Sequence, residues 1–190
     1  ALTTLGHQCE RIGHAKQLMQ ALTQGKRWDL VFNIAEGMYG IGREAQIPAI
    51  LDVYNIPYTF SDPMVMSLTL HKGMTKRVLR DAKVAVSDFL VAEKGSDAAA
   101  ITFAGPWFIK PVAEGTGKGI DTASIVRDGA QLPGAVDHLI QKFEQPVIIE
   151  PYLPGREFTV GTQREMDKAI EYFQEAITRA PAFAQAYAGL

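Results

Sequence analysis

Strand-like and helix-like segments alternate along the first sixty residues of this chain. Strand patterns occupy 9–13 (CERIG), 29–35 (DLVFNIA) and 56–62 (IPYTFSD), and helical patterns occupy 14–25 and 43–55. Strands that alternate with helices are typical of a parallel sheet covered on its faces. The sequence therefore predicts an α/β domain over residues 1–62. The helical residues expected to face its core are Leu18, Met19, Leu22, Ile47, Ile50, Leu51 and Tyr54.

The segment 63–161 has a different organisation. Helices are predicted over 67–82 and between Pro133 and Phe143. Strand patterns with looser connections follow the first helix, in FLVAE, WFIKPV, GIDTASIV and PVIIEPYL. This arrangement predicts an α+β domain with antiparallel strands and a helix on one face, separated from the first domain near 61–63. The inward residues of the first helix are expected to be Leu70, Met74, Val78 and Leu79.

The last segment, 162–190, changes to an uninterrupted helical pattern, which predicts a short helical hairpin. From about residue 164 it resembles a tetratricopeptide repeat, in which Ala169, Phe173, Ala176 and Pro181 fall at the spacing of the second helix. An ordinary amphipathic hairpin is the alternative. Less than one repeat is present, and about three are needed for a stable stack, so we expect no working peptide groove.

The composition is that of a globular protein, with 47% hydrophobic and 21% charged residues and a net charge of -2. This balance indicates neither disorder nor a broad basic surface for nucleic acid. No apolar run approaches the ~18 residues of a membrane span. The single cysteine, Cys9, cannot form an internal disulfide. We therefore expect a cytoplasmic protein whose partners include neither nucleic acid nor a membrane.

A glycine-rich loop follows an apolar strand in FIKPVAEGTGKGI, residues 108–120. The strand delivers Lys110 at its end, and the loop then runs from Glu114 to Gly119. Glycines allow close approach of the backbone to a phosphate, while Thr116 and Lys118 add a hydroxyl and a charge. The spacing fits neither a Walker A loop nor a dinucleotide fingerprint. Taken alone, the loop indicates phosphate binding and a simple hairpin turn about equally.

Further motifs occur in a fixed order around this loop: FNIAEG, IPYTFSD, HKGMTK, IKPVAEGTGKGI and IIEPYLPGREFTV. Together they resemble the ATP-grasp superfamily, and most closely its D-alanyl-D-alanine ligase family, over about residues 2–161. The resemblance implies a partial Rossmann-like pre-ATP-grasp domain over 1–62, whose first strand is missing. The small α+β subdomain of the ATP-grasp fold is then expected over 63–161.

The resemblance also implies a nucleotide site. Lys72 and Lys110 would hold the phosphates of ATP, and the loop residues Glu114, Gly115, Thr116, Gly117, Lys118 and Gly119 would close over them. The adenine would contact Glu150, Tyr152 and Leu153, and the ribose hydroxyls would donate to Glu157. These residue types suit the roles, because lysines bind phosphates as point charges and a carboxylate accepts two donors.

Two departures from the family pattern concern the substrates. The family usually has adjacent serines in the loop, where this chain has Thr116 and Gly117, so Thr116 remains as a possible contact. Glu36 stands where the family usually has a histidine that faces the substrate. We therefore expect a small amino-acid substrate that is not necessarily D-alanine, with Glu36 as its candidate contact.

The family resemblance implies an ATP-dependent carboxylate–amine ligase that forms an acyl phosphate and ADP, in peptidoglycan synthesis for the cell wall. The alternative is a non-catalytic nucleotide-binding or interaction fragment, with a helical-repeat partner bound by its tail. The family's magnesium ligands and an arginine follow the REFTV strand and have no counterpart in 162–190, so we expect little turnover. We assign no catalytic residue. We assign no metal ligand either, because the four histidines lack ligand spacing.

Overall fold

The computed structural model describes residues 2–155, so Glu157 and the predicted hairpin of 162–190 lie outside the described part. The described residues divide into two compact units, 2–66 and 67–155. We call them the first and second units. None of the helices within residues 2–155 has the length and apolar character needed to cross a lipid bilayer.

The first unit packs two helices, α1 (Ala15–Thr23) and α2 (Gln46–Val53), around a small apolar core. Val31 and Tyr58 form a parallel β-bridge. In it the Val31 N–H donates to the Pro57 carbonyl at 2.8 Å, and the Thr59 N–H donates to the Val31 carbonyl at 3.0 Å. The buried core residues are Leu18, Leu22, Val31, Ile47, Leu51, Ile56 and Tyr58.

Local signals explain the limits of α1. His14 precedes the helix and accepts a hydrogen bond from the Lys16 N–H at 3.3 Å, while Gln17 Oε1 accepts from the His14 N–H at 2.9 Å. This reciprocal pair satisfies N–H groups that have no partner within the helix. Gly25 ends the helix with a φ of 87°, a conformation that suits glycine.

Three expectations for the first unit are corrected. The predicted strand at 9–13 is irregular backbone, because nothing in residues 2–66 pairs with it. The strands predicted at 29–35 and 56–62 run parallel but share only a single bridge. Met19 is 53% exposed, since the face of α1 that meets the core is formed by the buried Leu18 and Leu22 with the partly buried Ala15.

The second unit is built on a four-stranded antiparallel sheet. Its strands are β1 (Leu90–Ala92), β2 (Trp107–Pro111), β3 (Ile125–Val126) and β4 (Val147–Pro151), in the order β1-β4-β2-β3. Its helices are α3 (Pro63–Leu70), which begins in the first unit, α4 (Lys72–Asp81) and α5 (Leu132–Phe143). The antiparallel sheet and the helix at 133–143 are confirmed, but the strand predicted at 119–126 is strand only at Ile125–Val126, because a short 3-10 helix occupies Thr122–Ser124.

The central strand β4 is buried on both faces. Val147 and Ile149 pack with Val136 of α5, whereas Ile148 packs on the opposite face with Leu70 and Val112. Side chains alternate between the faces of a strand, so Glu150 points to the same face as Ile148. Its position places a carboxylate at the end of a fully buried strand.

The helix predicted over 67–82 is two helices, separated at His71. His71 has extended backbone and accepts a hydrogen bond from the Met74 N–H at 3.1 Å, which starts α4. Gly73 is buried, and a Cβ there would lie 2.4 Å from Val91 Cγ2, so α4 approaches β1 along its glycine face. Met74 and Val78 are therefore exposed, contrary to the prediction.

Candidate functional site

The register of β2 and β4 brings two predicted site residues together. Phe108 lies opposite Glu150 and Lys110 lies opposite Ile148, so Lys110 and Glu150 are diagonal neighbours on one face of the sheet. The Lys110 Nζ is 2.7 Å from Glu150 Oε2. A lysine and a carboxylate that are distant in the chain thus meet because their strands pair.

A second lysine and a serine complete this arrangement, which we call the Glu150 cluster (Lys76, Ser87, Lys110 and Glu150). Lys76 Nζ is 2.5 Å from Glu150 Oε1 and 2.6 Å from Ser87 Oγ. The Ser87 hydroxyl donates to Glu150 Oε1 at 3.3 Å. The Glu150 side chain is only 10% exposed, so these contacts form largely away from water.

The protonation of Glu150 follows from this environment. Burial alone raises the pKa of the carboxyl, because it penalises the charged form. Hydrogen bonds from Lys110 and then Lys76 act in the opposite direction and outweigh burial, so the pKa of Glu150 is held below its ordinary value. Glu150 is therefore an anion at neutral pH, shared between two ammonium groups.

Glu114 organises the base of the glycine-rich loop in a second arrangement, the Glu114 cluster (Lys72, Glu114, Lys118 and Gln145). Gln145 Nε2 donates to Glu114 Oε1 at 2.9 Å, and Lys118 Nζ lies 3.1 Å from Glu114 Oε2. Lys72 Nζ donates to the Glu114 carbonyl. Two predicted phosphate-binding lysines therefore meet at the residue that begins the loop.

The loop itself leaves backbone donors available. Its turns are closed by hydrogen bonds from the Lys118 N–H to the Gly115 carbonyl at 2.9 Å and from the Ile120 N–H to the Gly117 carbonyl at 3.0 Å. The N–H groups of Thr116 and Gly117 have no acceptor within residues 2–155. A Cβ added at Gly115 or Gly117 would meet no atom within 4 Å, so the loop borders open space.

The residues after β4 are predicted to contact adenine. Tyr152 stacks with Phe108, with ring centroids 6.4 Å apart and an angle of 27° between the rings. Its N–H donates to the Pro106 carbonyl at 2.8 Å, so it is not available to a base. Leu153 is 69% exposed, and its N–H has no acceptor within residues 2–155. Of the two backbone donors considered, that of Leu153 is available.

Among the predicted site residues, Glu36 lies apart from these clusters, on an exposed loop of the first unit, and the structure does not describe Glu157. Sequence reasoning assigned no role to Lys76, Ser87 or Gln145. A signal existed only for Lys76, which ends the HKGMTK motif one helical turn after Lys72 and therefore on the same side of α4.

The described part of the chain has no cluster of metal-ligating side chains. Within residues 2–155 no three His, Cys, Asp or Glu side chains lie together where they could hold a metal. Glu150 and Glu114 are each paired with lysines.

Comparison with other proteins identifies relatives in sequence. No protein-family model matches the chain. An uncharacterized protein of Sinorhizobium fredii, y4sG, is 34% identical over 133 residues, which cover 70% of this chain and 38% of that protein. The D-alanine–D-alanine ligase of Methylobacterium radiotolerans is 32% identical over 171 residues, covering 90% of this chain and 53% of the ligase. That of Rhizobium meliloti is 29% identical, covering 87% of this chain and 52% of the ligase.

Solved structures show the same relationship in fold. The D-alanine–D-alanine ligase of Bacillus anthracis matches with a TM-score of 0.56 at 21% identity, covering 72% of this chain and 43% of the other. The D-Ala:D-Ser ligase VanG of Enterococcus faecalis also matches with a TM-score of 0.56, at 24% identity, covering 67% of this chain and 37% of the other. The tetratricopeptide resemblance at 164–190 lies outside the described residues, and these relatives give it no support.

The match leaves part of each protein uncovered. The chain spans about half the length of the ligases that it matches in sequence. Within that span the relatives support the resemblance read from the ordered motifs. The mixed helix and sheet structure, with its small antiparallel sheet, agrees with part of the ligase fold. The chain thus has D-alanine–D-alanine ligases as relatives in sequence and as neighbours in fold.

Proposed function

We propose that this chain binds ATP through the second unit, as the nucleotide-binding part of an ATP-dependent carboxylate–amine ligase. The observation that carries the proposal is the hydrogen bonding of the Lys110 ammonium group. Its Nζ has one acceptor within residues 2–155, Glu150 Oε2. An ammonium group has three N–H donors, so two remain for a ligand.

The phosphates would be held by side-chain charge and by backbone donors together. Lys110 lies near the end of β2, shortly before the glycine-rich loop. In that loop the N–H groups of Thr116 and Gly117 have no acceptor within residues 2–155. Lys72 and Lys118 would add charge after exchanging their contacts with Glu114 for phosphate oxygens. Such a combination of fixed ammonium groups and open backbone N–H groups is typical of phosphate sites.

The adenine would lie beside Tyr152 and Leu153. The free N–H of Leu153 can donate to a ring nitrogen, and Oε2 of Glu150 has capacity to accept one further hydrogen bond, from the exocyclic amine. Glu157 remains the proposed acceptor for the ribose hydroxyls. Glu36 remains the proposed contact for the amino-acid substrate, in a domain that we assign to residues 1–62, with the nucleotide subdomain over 63–161.

The proposed reaction has two steps. A substrate carboxylate oxygen attacks the γ-phosphorus of ATP, the bond to the bridging oxygen breaks, and ADP leaves. The amine of a second substrate then attacks the acyl phosphate carbon, phosphate leaves, and the amine loses a proton. Lysines that hold the phosphates would favour the first step, because charge spreads onto the phosphoryl oxygens as it is transferred.

A second candidate function is nucleotide binding without turnover. It rests on the same contacts, because Lys110 and the N–H groups of Thr116 and Gly117 account for binding and include no group assigned to the chemical step. Measurement of ADP release with magnesium and mixed amino acids separates the two functions. Release above the no-amino-acid background supports the ligase, and binding without release supports the second candidate.

The binding proposal is tested by titration calorimetry of ATP into the parent chain and its Lys110→Ala variant. Loss of one charged contact is expected to weaken ATP binding by about tenfold to a hundredfold. Lys142→Ala is the matched control, since Lys142 is an exposed lysine on α5 of the same unit. Equal affinity in the parent and Lys110→Ala would remove the assignment of Lys110, and no binding by the parent would remove the proposed function.

A further inference from the structure

All three N–H donors of the Lys76 ammonium group have acceptors. Its side chain is 18% exposed, and its Nζ reaches Glu150 Oε1 at 2.5 Å, Ser87 Oγ at 2.6 Å and the Ser87 carbonyl at 3.2 Å. An ammonium group has three donors, and each has an acceptor here. Lys76 therefore has no N–H left for a ligand while these contacts last.

Lys110 differs from Lys76 although both pair with the same carboxylate. Lys76 and Ser87 occupy Oε1 of Glu150, and Lys110 occupies Oε2 with two donors to spare. The lysine with complete hydrogen bonds comes from α4, and the lysine with spare donors comes from β2. Within the cluster, Lys76 thus serves to hold Glu150, whereas Lys110 keeps donors for a ligand.

We propose that Lys76 is a positioning residue of the nucleotide site, which acts through Glu150 on Lys110. This inference rests on the proposed function. Lys76 and Ser87 both contact Oε1 and so keep the carboxylate from rotating. Oε2 therefore stays in one position, and the ammonium group of Lys110, which is paired with it, is held in one direction. A group held before its ligand arrives loses less entropy on binding.

The charge of the cluster works in the same direction. Glu150 and Lys110 alone would form a neutral pair, which attracts a phosphate only weakly. With Lys76 the cluster carries one net positive charge in a place where side chains are 10–23% exposed. Charges that are partly removed from water interact more strongly than charges at the surface, so this net charge favours an anion beside Lys110.

The test compares ATP affinity, by titration calorimetry of the whole chain, for Lys76→Met, Lys76→Arg and the control Lys142→Met. We expect Lys76→Met to weaken ATP binding by about fivefold to twentyfold, Lys76→Arg to recover most of that loss, and Lys142→Met to change affinity by less than about twofold. Circular dichroism at the titration temperature establishes that each variant is folded.

The same substitution in a Lys110→Ala background distinguishes positioning from general support of the fold. If Lys76 acts on the nucleotide mainly through Lys110, the loss of ATP affinity caused by Lys76→Met should shrink to about twofold once Lys110 is absent, the remainder being the effect of the lost charge. Ser87→Ala repeats the test if Lys76→Met does not fold, because it removes a hydroxyl that contacts both Lys76 and Glu150. Its loss of affinity should likewise shrink in the Lys110→Ala background.

The outcomes separate the two proposals. A parent chain that binds no ATP overturns the proposed function together with this inference. A parent chain that binds ATP, with Lys76→Met and Ser87→Ala unchanged in affinity, overturns the inference alone. The same holds if their loss of affinity persists undiminished after removal of Lys110. A loss that depends on Lys110 supports the positioning role.

Discussion

The lysines of the Glu150 cluster and Lys118 of the Glu114 cluster pair with buried carboxylates from different structural settings. In the Glu150 cluster the lysines come from α4 and β2, and their side chains are 18% and 23% exposed. In the Glu114 cluster, Lys118 belongs to the loop itself and is 63% exposed. Lys76 and Lys110 are therefore fixed by regular structure, whereas Lys118 is held by a loop.

This difference has a physical consequence. Removing one partner of a buried ion pair costs much stability, because the other charge is left uncompensated away from water. An exposed pair contributes little to stability, because water and salt screen it. We infer that the Glu150 cluster is set before a nucleotide binds, and that the exposed contact of Lys118 with Glu114 can be exchanged for phosphate.

Glu150→Gln should have the largest effect on stability. The change leaves Lys76 and Lys110 without their shared countercharge, and we expect the free energy of unfolding to fall by about 2–4 kcal/mol. Urea denaturation at pH 7 measures it. Glu93→Gln, at an exposed residue of the same unit, should change the value by less than about 0.5 kcal/mol. Equal stability of the Glu150→Gln variant and its parent would contradict a preset cluster.

Gly119→Ala should have the next largest effect, because it tests how the loop returns to the sheet. Gly119 has a φ of 82°, and a Cβ there would lie 2.6 Å from Pro111 Cγ and 3.0 Å from Phe143 Cζ. We expect a loss of about 1–3 kcal/mol in thermal or urea unfolding. Gly115→Ala is the matched control within the loop, since its Cβ meets nothing within 4 Å; comparable losses in both variants would contradict the argument.

The pH dependence of stability should show a smaller part of the Glu150 effect. The pKa of Glu150 is lower in the folded chain than in an unfolded one, so its contribution is present above the ordinary carboxyl pKa of about 4.3 and is lost as pH falls through the folded value. The difference in unfolding free energy between parent and Glu150→Gln should therefore narrow as the pH falls from about 6 to about 3. A difference that widens on acidification would show the opposite sign.

Lys118→Met should have the smallest effect. Its pair with Glu114 lies within one loop and is 63% exposed on the lysine side, so we expect a change in unfolding free energy of less than about 0.5 kcal/mol. Lys76→Met provides the comparison, and should cost several times more in the same urea titration. If the two substitutions cost the same, the contrast between the clusters does not hold.

Local patterns predict much of the second unit. The helical repeat at 133–143 and the apolar runs that become β2 and β4 are recognisable because burial on a face leaves a periodic trace in sequence. The break at His71 leaves no such trace. It accompanies extended backbone at His71 and the close approach of Gly73 to Val91, a contact between distant segments. For the same reason the sequence pattern predicts Met74 and Val78 to face inward although they are exposed.

By itself the sequence determined which residues are predicted to bind a nucleotide, because the ordered motifs, through their resemblance to the ligase family, point to Lys72, Lys110 and the glycine-rich loop. Only the tertiary structure decided how those residues are held. Lys110 has donors to spare, Tyr152 does not offer its N–H, and Lys76 is joined to the site through Glu150. Hydrogen-bond partners are set by which strands pair and how helices pack on them, and these are relations between residues far apart in the chain.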